Sequence, residues 1–381
     1  MRPAKLGKPG GSTRRCRRSA SPPSRITRVI LEDEPLCPRR RASVLAVTGN
    51  PSPSVPSNRQ IVLYLVLLAT LLPEGITGAT PPWKWIDPVQ LVLVFSLYGP
   101  GVLLVRELSV RWRTGWPGIV LLGAAYAIVE EGIAVKTFFH PTLTMLGDLG
   151  WYGRWLDVNW VWSVWLSLFP AAFSIAFPIF LVEWRWHHVR GRSLLGIRGT
   201  VLVATILAFA AMFDHLFLIP YWPGWPHVLG ALIAIAALAS ASRSLARRVW
   251  DRLPAGRAPS RKIYAAAGFL FWGLSILVYA AGPALGGHPA VTFAEGGAMI
   301  GSVLLLLRCA SGRPEGERYV FAFVAGSVGA FAVWAAFAEL AGIRGMSLVG
   351  IAFVLLVLRL DRGPRQRPAE AITPSAASRE P

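Results

Sequence analysis

The chain has 381 residues, of which 54% are hydrophobic and 15% charged, and its formal net charge is +19. Soluble domains carry about 25% charged residues, so this composition excludes an ordinary water-soluble globule. The basic excess sits in the tails and in alternate loops, which sets aside a nucleic-acid partner and reads as membrane topology.

Residues 1–58 are rich in Arg, Pro and Ser without a sustained apolar period, and they read as a disordered basic arm. No apolar segment follows the arginines closely enough for a cleavable signal peptide. The next methionine after Met1 is Met145, so a second reading starts translation near Val44, Val47 or Val55 and makes the arm an artefact. Cys16, Cys37 and Cys309 lack any paired spacing, so neither a disulfide framework nor a zinc site is expected. The bundle is expected over 59–361, with a disordered cytoplasmic tail over 362–381.

After Arg59 come ten apolar runs, each near the roughly 20 residues that cross a bilayer. They cover approximately 61–79, 88–106, 117–138, 159–183, 198–219, 227–243, 263–283, 288–308, 318–341 and 345–360. The sixth and tenth are short. With the N-terminus inside, the inner loops hold 17 Arg and Lys residues against 4 outside (Lys84, Lys136, Arg154 and Arg344). That imbalance satisfies the positive-inside rule. Trp83, Trp85, Trp151, Trp155, Trp160, Trp222 and Trp225 crowd the outer boundary as an aromatic belt. The predicted fold is all-α: a polytopic transmembrane helix bundle of about ten spans, with both termini cytoplasmic. It is multi-pass in the plasma (inner) membrane, and the preference for Arg over Lys points to a GC-rich bacterial genome.

The third run contains Glu130 and Glu131. A charge in hydrocarbon costs about 2.5 kcal/mol or more, so the pair needs a partner, water or a proton. Counting helical rise from each predicted entry point, Glu74, Glu130, Glu131, Asp214, His215, Glu295 and Glu339 all fall in the outer half of the bilayer. That shared depth predicts a polar cavity near the outer surface. Glu130, Glu131, Asp214, His215 and Glu295 are the candidate site. Two adjacent acids do not both ionise easily, which suits a proton carrier or general acid. The duller reading is a helix-pairing hydrogen bond, or an ion pair with Lys136 or Arg154. Asp214–His215 reads either as a proton relay or as an interfacial polar cap. Glu130, Asp214 and His215 are also chemically able to bind a metal, but the spacing fixes no geometry, and the metal and any cofactor stay unassigned.

The external stretch His140–Trp160 is either a re-entrant lid over the acids or a belt lying flat in the interface. Gly99-Pro100-Gly101 in the second run, and Pro170 and Pro178 in the fourth, are expected to break their helices. The leading functional expectation is a proton- or cation-linked transporter of an unspecified small molecule, with the lipid bilayer as its medium. The alternatives are a membrane-embedded hydrolase or protease with a glutamate base or metal ligand, and a structural membrane protein without catalysis. The two glutamates resemble the EExxxR motif of the CPBP intramembrane proteases. Val135, however, stands where that arginine belongs, and no histidine has Phe four residues before it or Asn or Asp four after. Only the glutamates match, so no family is assigned.

Overall fold

The computed structural model describes residues 56–142, 144–284 and 288–362. The arm expected over 1–58 and the tail expected over 362–381 lie outside these apart from their inner edges, as do Cys16, Cys37 and the alternative start positions. The helices in chain order are α1 (Asn58–Thr77), α2 (Pro88–Trp112), α3 (Gly115–Ala134), α4 (Trp160–Arg185), α5 (Ile197–Phe217) and α6 (Trp225–Ser244). A short α7 (Ala246–Arg252) follows, then α8 (Arg261–Ala284), α9 (Pro289–Ala310), α10 (Gly316–Leu340) and α11 (Met346–Arg362). Among the described residues nine of these are long and apolar enough to cross a membrane, all except α7 and α11. The tenth expected run forms α11, whose 17 residues fall just short of the roughly 20 a full crossing takes.

Local chemistry sets the helix ends. Ser57 and Gln60 form a reciprocal capping box at the start of α1: Ser57 N donates to Gln60 Oε1 (2.8 Å), and Gln60 N to Ser57 Oγ (3.4 Å). Asp87 accepts from Val89 N (2.9 Å) to open α2, with Pro88 in the first turn where no donor is lost. Gly78, at φ 79°, ends α1 in the left-handed conformation that glycine adopts most easily.

Of the expected helix breaks, the one at Pro170 is present, and those at Gly99-Pro100-Gly101 and Pro178 are not. Helix α2 runs without interruption through Gly99-Pro100-Gly101. In α4, Pro170 removes a backbone donor, and the next six residues, Ala171–Ala176, relax into a π-helical turn. A second π-helical segment, Ile128–Ala134, ends α3 and carries both glutamates of the pair. Val135 N closes its last turn onto Glu130 O (2.8 Å).

Helix α4 is the most enclosed of the nine and α9 the least. The opposite faces of α4 serve two cores. Ile175, Ile179 and Val182 pack with Ile61, Leu65, Val102 and Leu122 of α1–α3. Phe169, Phe173, Phe177, Phe180 and Trp184 recur at helical spacing on the other face and meet Trp272, Phe323 and Phe331 of α8 and α10. Beyond these cores, α5, α6, α8 and α9 expose many large apolar side chains, among them Phe209, Leu232, Leu270 and Leu305. A water-facing monomer does not keep such surfaces, and they suit a multi-pass membrane protein.

Candidate functional site

Three carboxyls from two helices meet at the tryptophan-rich end of the bundle. Glu74 comes from α1, and Glu130 and Glu131 come from the π-helical end of α3. A π-turn crowds in an extra residue and re-aims side chains, and such turns occur often at functional sites. Glu130 is only 2% exposed. Glu74 accepts a hydrogen bond from Tyr98 Oη on Oε1 (2.6 Å) and from Thr80 Oγ1 on Oε2 (2.6 Å). Thr80 Oγ1 in turn accepts from Gln90 Nε2 (3.0 Å). Glu131 Oε2 accepts from Thr137 Oγ1 (2.6 Å) just beyond the helix.

Glu130 is bounded by two phenols, Tyr98 and Tyr126. Those rings tilt against each other with centroids 6.4 Å apart. Glu130 Oε2 and Tyr126 Oη are both buried and complete no hydrogen bond of ordinary geometry. A buried polar atom left unpaired costs about 1–3 kcal/mol. Two such atoms side by side mark a place with capacity for a proton, a water or a small ligand.

The remaining expected site residues lie elsewhere. Asp214 is buried on α5, its backbone carbonyl accepts from Leu218 N (3.0 Å), and among the described residues its carboxyl makes no hydrogen bond or ion pair. His215 Nδ1 meets the Ile133 carbonyl (2.8 Å), so α5 docks on the π-helical segment through backbone rather than through its acids. Lys136 reinforces that contact. Its ammonium donates to His215 O (2.5 Å) in the last turn of α5 and to Ile219 O (2.7 Å) just beyond it. Burial holds this ammonium below the usual lysine range. Lys136 therefore does not neutralise the glutamates, and neither does Arg154.

Glu295 is exposed on α9 with no described partner. Glu339 accepts from Ser347 N (3.0 Å) and holds the first turn of α11. Of the seven ionisable side chains expected to share one cavity, three gather. Among the described residues no three His, Cys, Asp or Glu side chains converge as a metal site requires, so Glu130, Asp214 and His215 do not assemble the metal set considered from sequence.

The described part of the stretch His140–Trp160 is pinned by Arg154. Arg154 donates to the carbonyls of Gly150 (3.0 Å), Phe139 (3.0 Å), Asp157 (2.9 Å) and His140 (3.1 Å). A two-residue hairpin turn follows, with Leu156 at φ 52° and Asp157 at φ 57° joining β1 (Arg154–Trp155) to β2 (Val158–Asn159). Tyr152 Oη meets Thr292 Oγ1 of α9 (2.7 Å).

Sequence reasoning missed a second polar cluster at the arginine-rich end. Arg106, the last residue of the second apolar run, lies inside α2 and is 1% exposed. It pairs with Glu183 of α4 (3.4 Å) and Glu107 (3.5 Å), and donates to Val189 O (2.7 Å) and Arg192 O (3.1 Å). Glu107 accepts from Leu194 N (2.7 Å) and from Ser193 Oγ (2.5 Å). Arg190 links Glu183 to Glu317 of α10, which His187 also meets. The segment after α4 is thereby stitched to α2. The missed signal is Glu107 beside Arg106 and four residues before Arg111, a helix-spaced charge pair. Set against protein-family models, curated proteins and solved structures, the chain matches none.

Proposed function

We propose that this chain is a multi-pass plasma-membrane transport protein. It binds a proton or small monovalent cation at Glu74, Glu130 and Glu131 and couples that binding to movement of a small molecule. One observation carries the reading: Glu130 is enclosed among two other carboxyls and two phenols, with one oxygen unpartnered and, among the described residues, no basic side chain paired to it. Isolated charge is expensive in such a place, and a site that alternates between protonated and ionised states avoids holding it permanently. The topology that goes with this reading has α11 as a tenth, short crossing and both termini on the arginine-rich side. That placement follows the positive-inside bias of the loops.

The test is substrate flux in proteoliposomes under an imposed pH gradient. Wild-type protein moves at least one member of a broad small-molecule panel in a pH-dependent way, and Glu130→Gln abolishes that dependence. Well-folded wild-type protein with no pH-dependent flux for any of the panel overturns the reading.

A further inference from the structure

We infer that the connection between α6 and α8 is a binding surface for anionic phospholipid headgroups. From Arg243 to Lys262 the chain carries seven basic residues against one acid, Asp251. Three of the seven are engaged within the protein: Arg243 lies over the Trp112 ring, Arg247 pairs with Asp251 (3.8 Å) and Arg261 with Asp361 (3.4 Å). Arg248, Arg252, Arg257 and Lys262 are exposed, and among the described residues none of them pairs with an acid.

The backbone that presents these charges is pinned. Arg308, near the end of α9, donates to Leu253 O (3.2 Å) and Asp251 O (3.3 Å), and Arg313 donates to Gly256 O (2.9 Å). Trp250 Nε1 donates to Ser311 Oγ (3.3 Å). Helix α7 is thereby held with one side inward and one outward. Ala246 is buried and Trp250, one turn on, is half-buried. Leu245, Arg248, Val249 and Arg252 recur at helical spacing and are all exposed.

That outward side combines two chemistries. The guanidinium forks of Arg248 and Arg252 match phosphate oxygens in geometry as well as in charge. Leu245 and Val249 beside them are 52% and 47% exposed. Apolar side chains next to arginines, directly after the membrane-length α6, suit the level where acyl chains meet headgroups. A nucleic acid or an acidic soluble protein offers anions but no hydrocarbon for Leu245 and Val249, whereas an anionic phospholipid satisfies both. The surface lies at the arginine-rich end and does not depend on the carboxyl cluster at the other.

The experiment is a calorimetric titration of short-chain phosphatidylglycerol into the purified full-length protein in neutral detergent, at low and at high salt. Phosphatidylglycerol binds, and high salt weakens it. Phosphatidylcholine of the same chain length, inorganic phosphate and a single-stranded oligonucleotide each bind at least about tenfold more weakly. Arg248→Gln with Arg252→Gln weakens phosphatidylglycerol binding by about tenfold or more, the combined scale of two basic residues facing an anionic lipid surface. Arg257→Gln with Lys262→Gln does the same and serves if the first pair does not fold. Lys84→Gln with Arg344→Gln, two exposed basic residues of the opposite end, leaves the binding unchanged. Wild-type affinity in both patch variants, an equal loss in the opposite-end variant, or phosphatidylcholine binding as tightly as phosphatidylglycerol overturns the surface. Inorganic phosphate or the oligonucleotide binding as tightly as phosphatidylglycerol overturns the lipid assignment.

Discussion

A Cβ built on Gly101 of α2 would stand 2.1 Å from Cε2 of Tyr126. The ring that flanks Glu130 occupies the space where any other residue would place its side chain. Gly101→Ala is expected to push Tyr126 off the acid and to destabilise the bundle by about 1–3 kcal/mol, as overpacking does. Thermal unfolding in detergent and pH-dependent flux measure the two effects. An unchanged midpoint counts against this packing.

At the opposite end, Arg106 and Glu183 form a buried pair between α2 and α4. Removing one partner strands the other charge, so Arg106→Ala is expected to cost about 3–5 kcal/mol. The double change Arg106→Met with Glu183→Leu restores most of that loss, because no charge is left unpaired. A double-mutant cycle on unfolding midpoints reads the difference, and strictly additive effects contradict the pairing.

Glu339 anchors the start of α11 through Ser347 N. Glu339→Ala is expected to loosen that first turn, with faster amide exchange at Ser347 and its neighbours than in the rest of α11. Unaltered exchange there removes the anchoring role.

His140 predicts an acid-sensitive component of stability. Burial, and then the charges of Lys136 and Arg154, hold its imidazole below the ordinary value of 6.5. The unfolded chain thus takes up this proton at a higher pH than the folded protein does. Stability falls as pH drops from about 6.5 towards the lowered folded value, and is flat above it. In His140→Asn that part of the decline disappears. A midpoint-versus-pH curve for the variant that superimposes on wild type below pH 6.5 refutes the assignment.

The sequence makes the helix count nearly readable because each apolar run is close to bilayer length and each helix begins or ends at a polar, proline or glycine boundary. Glu130 and Glu131 stand out for the same reason: acids are rare in apolar runs. Tyr98, Thr80 and Gln90 are not legible, because a tyrosine or threonine in such a run carries no signal until its neighbour across the helix pair is known. Depth alone also overreaches. Glu295 and Glu339 share the level of Glu130 by helical rise, yet one faces outward from α9 and the other holds a backbone donor. Rise along a helix fixes height and leaves azimuth open, and azimuth decides which acids meet. The π-helical turn at Ile128–Ala134 shifts that azimuth further, in a way no fixed helical period predicts.

One helix, α2, contributes Tyr98 to the carboxyl group and, eight residues on, Arg106 to the ion network. At helical rise those two positions are about 12 Å apart along an uninterrupted shaft. The shaft acts as a lever arm: a tilt that draws Tyr98 away from Glu74 must also strain the Arg106–Glu183 clasp, and loosening the clasp frees the tyrosine to swing.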